Sequence, residues 1–306
     1  MICKKFPVMD KEIFVKKASG ELEQFSAEKL SGSLKRSGAD DGVIEEIIDE
    51  ITGWIEELNG SSAPPSTRNI YNKAFTLLRR MTNGNAARYK LKNAMMEMGP
   101  TGHPFEHFMG EVYRLLGYEH IEVAQVLRGH CLTHEVDVVA TRRKPGKKSG
   151  LLPGDNMEQL VVECKYYQST GKNANVQVSL YVHSRMEDIF GFRKKMPEYA
   201  NYTFRGGIAT NTRFSSDAIA YGEYAGLQLL SWDYPRGNGL REIIDRERIF
   251  PVTVLTTLTR TQKDLLMNRG IVICRQLRDN PEIIRELALA PARLRKLQEE
   301  LTGLLR

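Results

Sequence analysis

Three residues of this chain could do chemistry together: Asp137, in His134-Glu135-Val136-Asp137-Val138, and Glu163 and Lys165, in Leu160-Val161-Val162-Glu163-Cys164-Lys165-Tyr166. Residues two apart on a strand point to one face, so Glu163 and Lys165 project together while Val162 and Cys164 face the other way. On a preceding strand, Glu135 and Asp137 share one face and Val136 and Val138 the other. If these strands are neighbours, the carboxylates of Asp137 and Glu163 converge within bonding distance of one hard cation. Mg²⁺ (or Mn²⁺) takes oxygen ligands and keeps several waters, so two carboxylates, a backbone carbonyl and a substrate phosphate suffice. Such an ion stabilises charge on phosphoryl oxygens and helps generate an attacking hydroxide. Lys165 would orient the water or stabilise the charged intermediate. The same spacing also fits solvated residues on the exposed face of an antiparallel sheet. Two contextual features favour a site: the apolar run Leu160, Val161 and Val162 leads into Glu163, and a helix bearing Glu106 precedes the pair.

The elements that must position these residues follow from periodicity. A short extended opening at Ile13 to Lys17 turns at Ser19-Gly20, and the rest of the first hundred residues read as helical. Val43, Ile44, Ile47, Ile48, Ile51, Ile55 and Leu58 recur every three or four residues against an acidic opposite face. Asn59-Gly60 stops that helix, Ser61 to Pro65 turns, and another helix begins near Ser66 or Thr67 and carries Ile70, Ala74, Leu77 and Leu78. The run Gly99-Pro100-Thr101-Gly102-His103-Pro104 marks a domain boundary. Beyond it come an amphipathic helix from Phe105 to Leu116 ended by Gly117, strands at Ile121 to Leu127, Glu135 to Ala140 and Leu160 to Lys165, and a basic loop from Arg142 to Lys148. A helix over Val176 to Phe190, a strand at Gly207 to Thr210, a helix from Ser215 to Tyr224 and a strand at Leu227 to Trp232 then alternate, which argues for an α/β layer fold. Past Pro251 the pattern is helical again, with a stripe of Leu294, Leu297, Leu301 and Leu304.

The 306 residues suffice for two modest domains with real cores. Lys plus Arg outnumber Asp plus Glu by 44 to 38, a net charge of +6 that suits a polyanionic partner without demanding one. The four cysteines, Cys3, Cys131, Cys164 and Cys274, have neither zinc-site spacing nor the density of a disulfide scaffold, as expected of a reducing compartment. There is no apolar run of bilayer length and no apolar core of a signal peptide, so the expectation is a soluble cytoplasmic protein with no membrane partner.

The segments Phe105-Glu106, Gly117-Tyr118, His134 to Val138 and Val162 to Tyr166 together resemble the Mrr-like branch of the PD-(D/E)xK nucleases. Ile208-Ala209-Thr210-Asn211-Thr212-Arg213-Phe214 with Ala218 and Ala220, and Leu227 to Leu230, are similar to that branch's later strand, helix and closing strand. The resemblance runs from Gly99 to about Asp233. It implies a mixed sheet flanked by helices and Mg²⁺-dependent hydrolysis of double-stranded DNA, with Asp137 and Glu163 as metal ligands and Lys165 as catalytic lysine. Glu106 matches the family's helix-borne acid, and Glu111 is a weaker candidate for that role. Gln177 and Tyr181 carry a Gln-x-x-x-Tyr spacing found in some related nucleases and equally ordinary on a helix face. The family's proline before the Asp is replaced by Val136, as in many Mrr-like members.

Val15-Lys16-Lys17, Gly20, Phe25, Glu28-Lys29 and Ser33-Leu34, with Ala87-Arg88-Tyr89, resemble the ATP-cone, a nucleotide-binding regulatory module best known from ribonucleotide reductases. Taken with that resemblance, Lys16, Lys17, Lys29 and Arg88 are candidates to bind ATP or dATP; without it, scattered lysines read as solvated charges. The expected fold class is therefore multidomain, α+β and α/β: a helical ATP-cone over 1–98, a restriction-endonuclease-like mixed β-sheet core flanked by helices over 99–250, and a helical C-terminal tail over 251–306. The leucine stripe of that tail packs within a monomer or permits a homo-oligomer. The expected function is a nucleotide-responsive restriction endonuclease. Its alternatives are a nucleotide-sensing DNA-binding regulator that does not cut, and a structure-specific repair nuclease.

Overall fold

The computed structural model describes residues 13–17, 19–58, 64–81, 83–144, 156–169 and 171–306. The residues before Ile13, including Cys3, residues 59–63 of the expected helix stop and turn, and residues 145–148 of the expected basic loop lie outside them. The chain divides into two compact units, one of residues 1–92, 254–258 and 289–306 and the other of residues 93–253 and 259–288. The tail expected as one extension over 251–306 is helical but is shared between the units. The reason is where its apolar side chains bury: Leu266, Met267 and Leu277 lie in the second unit, and Leu297, Leu301 and Leu304 in the first.

The first unit opens with a hairpin of β1 (Phe14–Lys16) and β2 (Leu22–Gln24), followed by α1 (Ala27–Arg36), α2 (Asp41–Leu58), α3 (Thr67–Met81) and α4 (Asn83–Tyr89). Ser26 caps α1 by accepting from the Lys29 amide at 3.1 Å. The three-and-four spacing foreseen for α2 is the buried face: Ile44, Ile47, Ile48, Ile51 and Ile55 enter one core with Leu30, Leu34, Leu77 and Leu78. Its glutamates face water. A short α5 (Leu91–Met96) follows, running across the boundary of the units.

In the second unit α6 (His103–Leu115) starts with Pro104 in its first turn, where a missing N–H costs nothing, and Gly117 at φ +89° turns the chain into the sheet. Strands β3 (His120–Arg128), β4 (Thr133–Arg143) and β5 (Met157–Lys165) follow, then the two-residue β6 (Asn173–Ala174), α7 (Val176–Arg193), β7 (Thr203–Thr210), β8 (Arg213–Phe214), α8 (Ser216–Tyr224) and β9 (Gln228–Leu230). Among the described residues the main sheet has the order β3-β4-β5-β7-β9, antiparallel from β3 to β5 and parallel from β5 to β9. It is the central mixed sheet flanked by helices that the sequence led one to expect. The small parallel pair of β6 and β8 was not foreseen, because two residues carry no periodicity. Val161 joins the core with Val182, Met186 and Ile189 of α7, so β5 turns its odd-numbered side chains toward that helix. Helices α9 (Leu240–Glu247), α10 (Arg260–Asn268), α11 (Cys274–Asp279) and α12 (Pro281–Glu286) complete this unit.

The last helix, α13 (Pro291–Leu305), belongs to the first unit. Its leucine stripe packs toward α4, with Leu297 and Leu304 fully buried. These side chains are therefore spent on packing within the chain. No helix among the described residues is long and apolar enough to cross a membrane.

Candidate active site

The β4–β5 ladder pairs Arg143 with Met157 through Val138 with Val162 and then stops. Beyond it, Glu163, Cys164 and Lys165 pair only with Ile208, Ala209 and Thr210 of β7. The β3–β4 ladder also skips one pair at this level, Ala124 with Asp137, and Ala124 sits at φ +54°, a strained conformation for a residue with a Cβ. Asp137 is thus the point where β4 loses its rungs on both sides. The strict alternation expected through Glu135 to Val138 breaks here: Val136 and Val139, three apart, both enter the core beside α7.

In the opening so formed the Asp137 carboxylate accepts the Cys164 amide at 2.6 Å. Glu163, 7% exposed, accepts from the Lys165 ammonium at 2.6 Å on Oε1 and from the Arg185 guanidinium on Oε2. Arg185 lies on α7 and also donates to the Glu135 carbonyl. Burial, then the charge of Glu163, pushes the Asp137 carboxyl up to about 7, and the charge of Glu106 adds to the rise. The Lys165 ammonium is held above its ordinary range: burial opposes this, but the bond to Glu163 and the negative charge around it prevail. Three of the four residues proposed for catalysis, Asp137, Glu163 and Lys165, therefore meet at one place, and Glu106 is near enough to repel Asp137. The Glu106 carboxylate is also bonded to His103 Nδ1 at 2.9 Å. Glu111 pairs instead with Arg114 at 3.5 Å, one turn further along α6.

The Thr-Asn-Thr stretch holds the end of β5. Thr210 Oγ1 donates to the Lys165 carbonyl at 2.7 Å, and the Asn211 amide both accepts from Tyr167 N–H at 2.9 Å and donates to the Tyr167 carbonyl at 2.8 Å. Both residues are fully buried, so the backbone bearing Lys165 is fixed by partners that water does not compete for. Tyr181 on α7 is 56% exposed, and its ring lies 5.2 Å from the Arg185 guanidinium. Gln177 is exposed at the start of the same helix. Sequence reasoning missed Arg185. It continues the four-residue spacing of Gln177 and Tyr181, but those two are exposed while Arg185 is buried, so the spacing alone did not reveal it.

Among the described residues no three His, Cys, Asp or Glu side chains gather closely enough to hold a metal ion by themselves. The donor set nevertheless fits a hard cation bound with water and phosphate. Asp137 is a half-buried carboxylate raised by burial and then by its acidic neighbours, and a divalent ion relieves that repulsion.

The four residues singled out for nucleotide lie in the first unit. Lys17 and Lys29 both pair with Glu23 of β2, Lys17 at 3.1 Å. Lys16 is exposed on β1. Arg88 of α4 donates to the Gly303 carbonyl at 3.3 Å, at the C-terminal end of α13. The structure thus brings Lys17 and Lys29 together at Glu23 and places Arg88 at the end of a helix.

Residues 98–234 match the Mrr catalytic family, described as restriction endonuclease, and residues 250–305 match the C-terminal family described as AF1548-like. An uncharacterized protein of Archaeoglobus fulgidus is 26% identical over 176 residues, covering 57% of this chain and 87% of its own length. The crystal structure of AF1548, a protein of unknown function, aligns with a TM-score of 0.51 at 23% identity, over 67% of this chain and 98% of that one. It shares the fold. The restriction endonuclease MspJI, solved in complex with a 27-mer oligonucleotide, aligns at a TM-score of 0.38 with 14% identity, over 61% of this chain and 36% of that one.

Proposed function

We propose that the second unit is a Mg²⁺- or Mn²⁺-dependent endonuclease acting on double-stranded DNA, serving restriction of foreign or modified DNA. The observation that carries this is the convergence of Asp137 and Glu163 where the β4–β5 ladder opens, with Lys165 bonded to Glu163. The match of residues 98–234 to the restriction endonuclease family supports it. Asp137 and Glu163 would hold the ion, together with the Cys164 carbonyl, and the ion when bound stabilises charge on the scissile phosphate and lowers the pKa of its water. Lys165, fixed by Glu163 at one end and by Thr210 through its backbone, orients the attacking water and offsets charge on the phosphorane-like transition state. Glu106 raises the negative field at Asp137 and so favours a divalent over a monovalent ion.

We further read the first unit as an ATP-cone that binds ATP or dATP and changes the rate of cutting. That part rests on the resemblance of Val15 to Leu34 and Ala87 to Tyr89 and on the two lysines gathered at Glu23. Plasmid, methylated and branched DNA incubated with Mg²⁺, each with and without ATP or dATP, test both parts. Wild-type cutting lost in Asp137→Ala and Lys165→Ala is the expected result. Cutting that survives both substitutions refutes the site, and tight binding without cutting under any metal makes the protein a binding regulator instead. Cutting indifferent to either nucleotide removes the regulatory part alone.

A further inference from the structure

We infer that Arg185 is a positioning residue for this site, a strut that sets the separation of the two carboxylates. The inference rests on the nuclease reading above and deepens it. Asp137 and Glu163 stand opposite one another just past the last pair of the β4–β5 ladder, where the paired register of the two strands has ended. Arg185 supplies the missing tie. One terminal nitrogen of its guanidinium donates to Glu163 Oε2 on β5, and the other donates to the Glu135 carbonyl on β4, two residues before Asp137. Across the opening a second tie runs the other way, from the Cys164 amide to Asp137.

The arrangement needs a planar fork. A guanidinium directs N–H bonds from two separate nitrogens in one rigid plane, whereas an ammonium carries its three donors on a single nitrogen. Arg185 is 8% exposed, and its Nε is buried without a hydrogen-bond partner. The hydrogen bonds that hold this buried guanidinium are those of its two terminal nitrogens, to Glu163 and to the Glu135 carbonyl. The guanidinium also lies over the Tyr181 ring, 5.2 Å from its centroid. Glu163 is thereby held on both oxygens, Oε1 by Lys165 and Oε2 by Arg185, in one orientation. Arg185 reaches the reaction only through Glu163 and the β4 backbone.

The test uses the full chain with Arg185→Met and Arg185→Lys, and Asp137→Ala as the reference for a lost site. Mn²⁺ binding is read by calorimetry, and kcat and KM are read on supercoiled plasmid. Loss of an outer partner of a metal-bound carboxylate weakens metal affinity about 10- to 100-fold, and a drop of that size is expected for Arg185→Met, with kcat falling in step and KM for DNA unchanged. Arg185→Lys keeps the charge but not the fork, so it stays closer to Arg185→Met than to the wild type. Should Arg185→Met fail to fold, as a melting curve would show, the lysine variant decides the question. Mn²⁺ affinity and kcat equal to wild type in a folded Arg185→Lys, alongside loss of both in Asp137→Ala, overturn the strut and leave the nuclease reading standing. A wild-type chain that neither binds Mn²⁺ nor cuts DNA overturns the nuclease reading, and the strut with it.

Discussion

The same two residue types meet in two places and behave differently. In the second unit Lys165 and Glu163 form a 2.6 Å pair whose acid is 9% exposed in its side chain, with Arg185 on the other oxygen and Asp137 nearby. In the first unit Lys17 and Lys29 close on Glu23, but Lys29 is 72% exposed and Lys17 41%. Water screens the second group almost completely, so its pairs are nearly interchangeable with hydration. In the first group burial magnifies each charge and prevents any member from being removed without leaving another uncompensated. What separates a site from a surface here is the opening of a strand ladder behind the charges, and not the charges themselves.

The largest effect that would sharpen this contrast is on catalysis. Asp137→Ala and Lys165→Ala are each expected to lower kcat on plasmid DNA by at least about 100-fold, the scale of losing an electrostatic stabiliser in a water-poor site, as read by nicking and linearisation on gels. Residual cutting near wild-type rates in either variant would equate the buried group with the exposed one.

Next comes stability against pH in the metal-free protein. The Asp137 carboxyl rises to about 7 in the fold from an ordinary 3.8, so folding favours its protonated form. Its contribution is fully present below about 3.8 and is lost as pH rises through about 7. Asp137→Asn keeps an acceptor for the Cys164 amide and should be the more stable protein at pH 8, by on the order of 2 kcal/mol after allowing for partial exposure, with no difference at pH 3.5. Denaturant titration at the two pH values measures this, and equal stability at pH 8 would break the claim that Asp137 is electrostatically crowded. Mn²⁺ binding should release protons below about pH 7 and tighten as pH rises, for the same reason.

A smaller effect is expected at the β3–β4 turn. Asp188 of α7 accepts from His134 at 2.8 Å and from the amides of Cys131 and Leu132, which lowers its carboxyl to about 2, the His134 bond contributing most. The stability this gives is present above about 3.8 and lost as pH falls through about 2. Asp188→Asn should raise hydrogen exchange at Cys131 and Leu132 at neutral pH while leaving the amide of Cys164 protected. Unchanged exchange at all three would show that this turn needs no anchor.

The smallest effect belongs to the hairpin of the first unit. Lys17→Ala and Lys29→Ala should each move Tm by less than about 2 °C without nucleotide, because exposed pairs contribute little. If the ATP-cone reading holds, the same substitutions weaken ATP binding in a filter or calorimetric assay. A large loss of Tm would instead give these lysines a structural role.

Much of this was legible in the chain itself. The spacing of Ile44 to Ile55 fixed the buried face of α2, and the apolar run before Glu163 marked β5, whose two-residue repeat puts its acid and lysine on one side. Local periodicity suffices wherever burial of one face decides an element. Types and order of residues also brought Asp137, Glu163, Lys165 and Glu106 forward as a group. Other features depended on partners distant in sequence. That β4 and β5 are neighbours whose ladder ends at Val138 and Val162, that Ala124 gives up its pairing opposite Asp137, and that Arg185 crosses the gap are products of register and packing. So is the destination of the C-terminal leucines, whose stripe is the same whether it meets a partner chain or α4. The sequence by itself determined which side chains could bind a cation, because their chemistry is local. Only the tertiary structure decided how far apart they stand, because that distance is set by where the paired register of two strands ends.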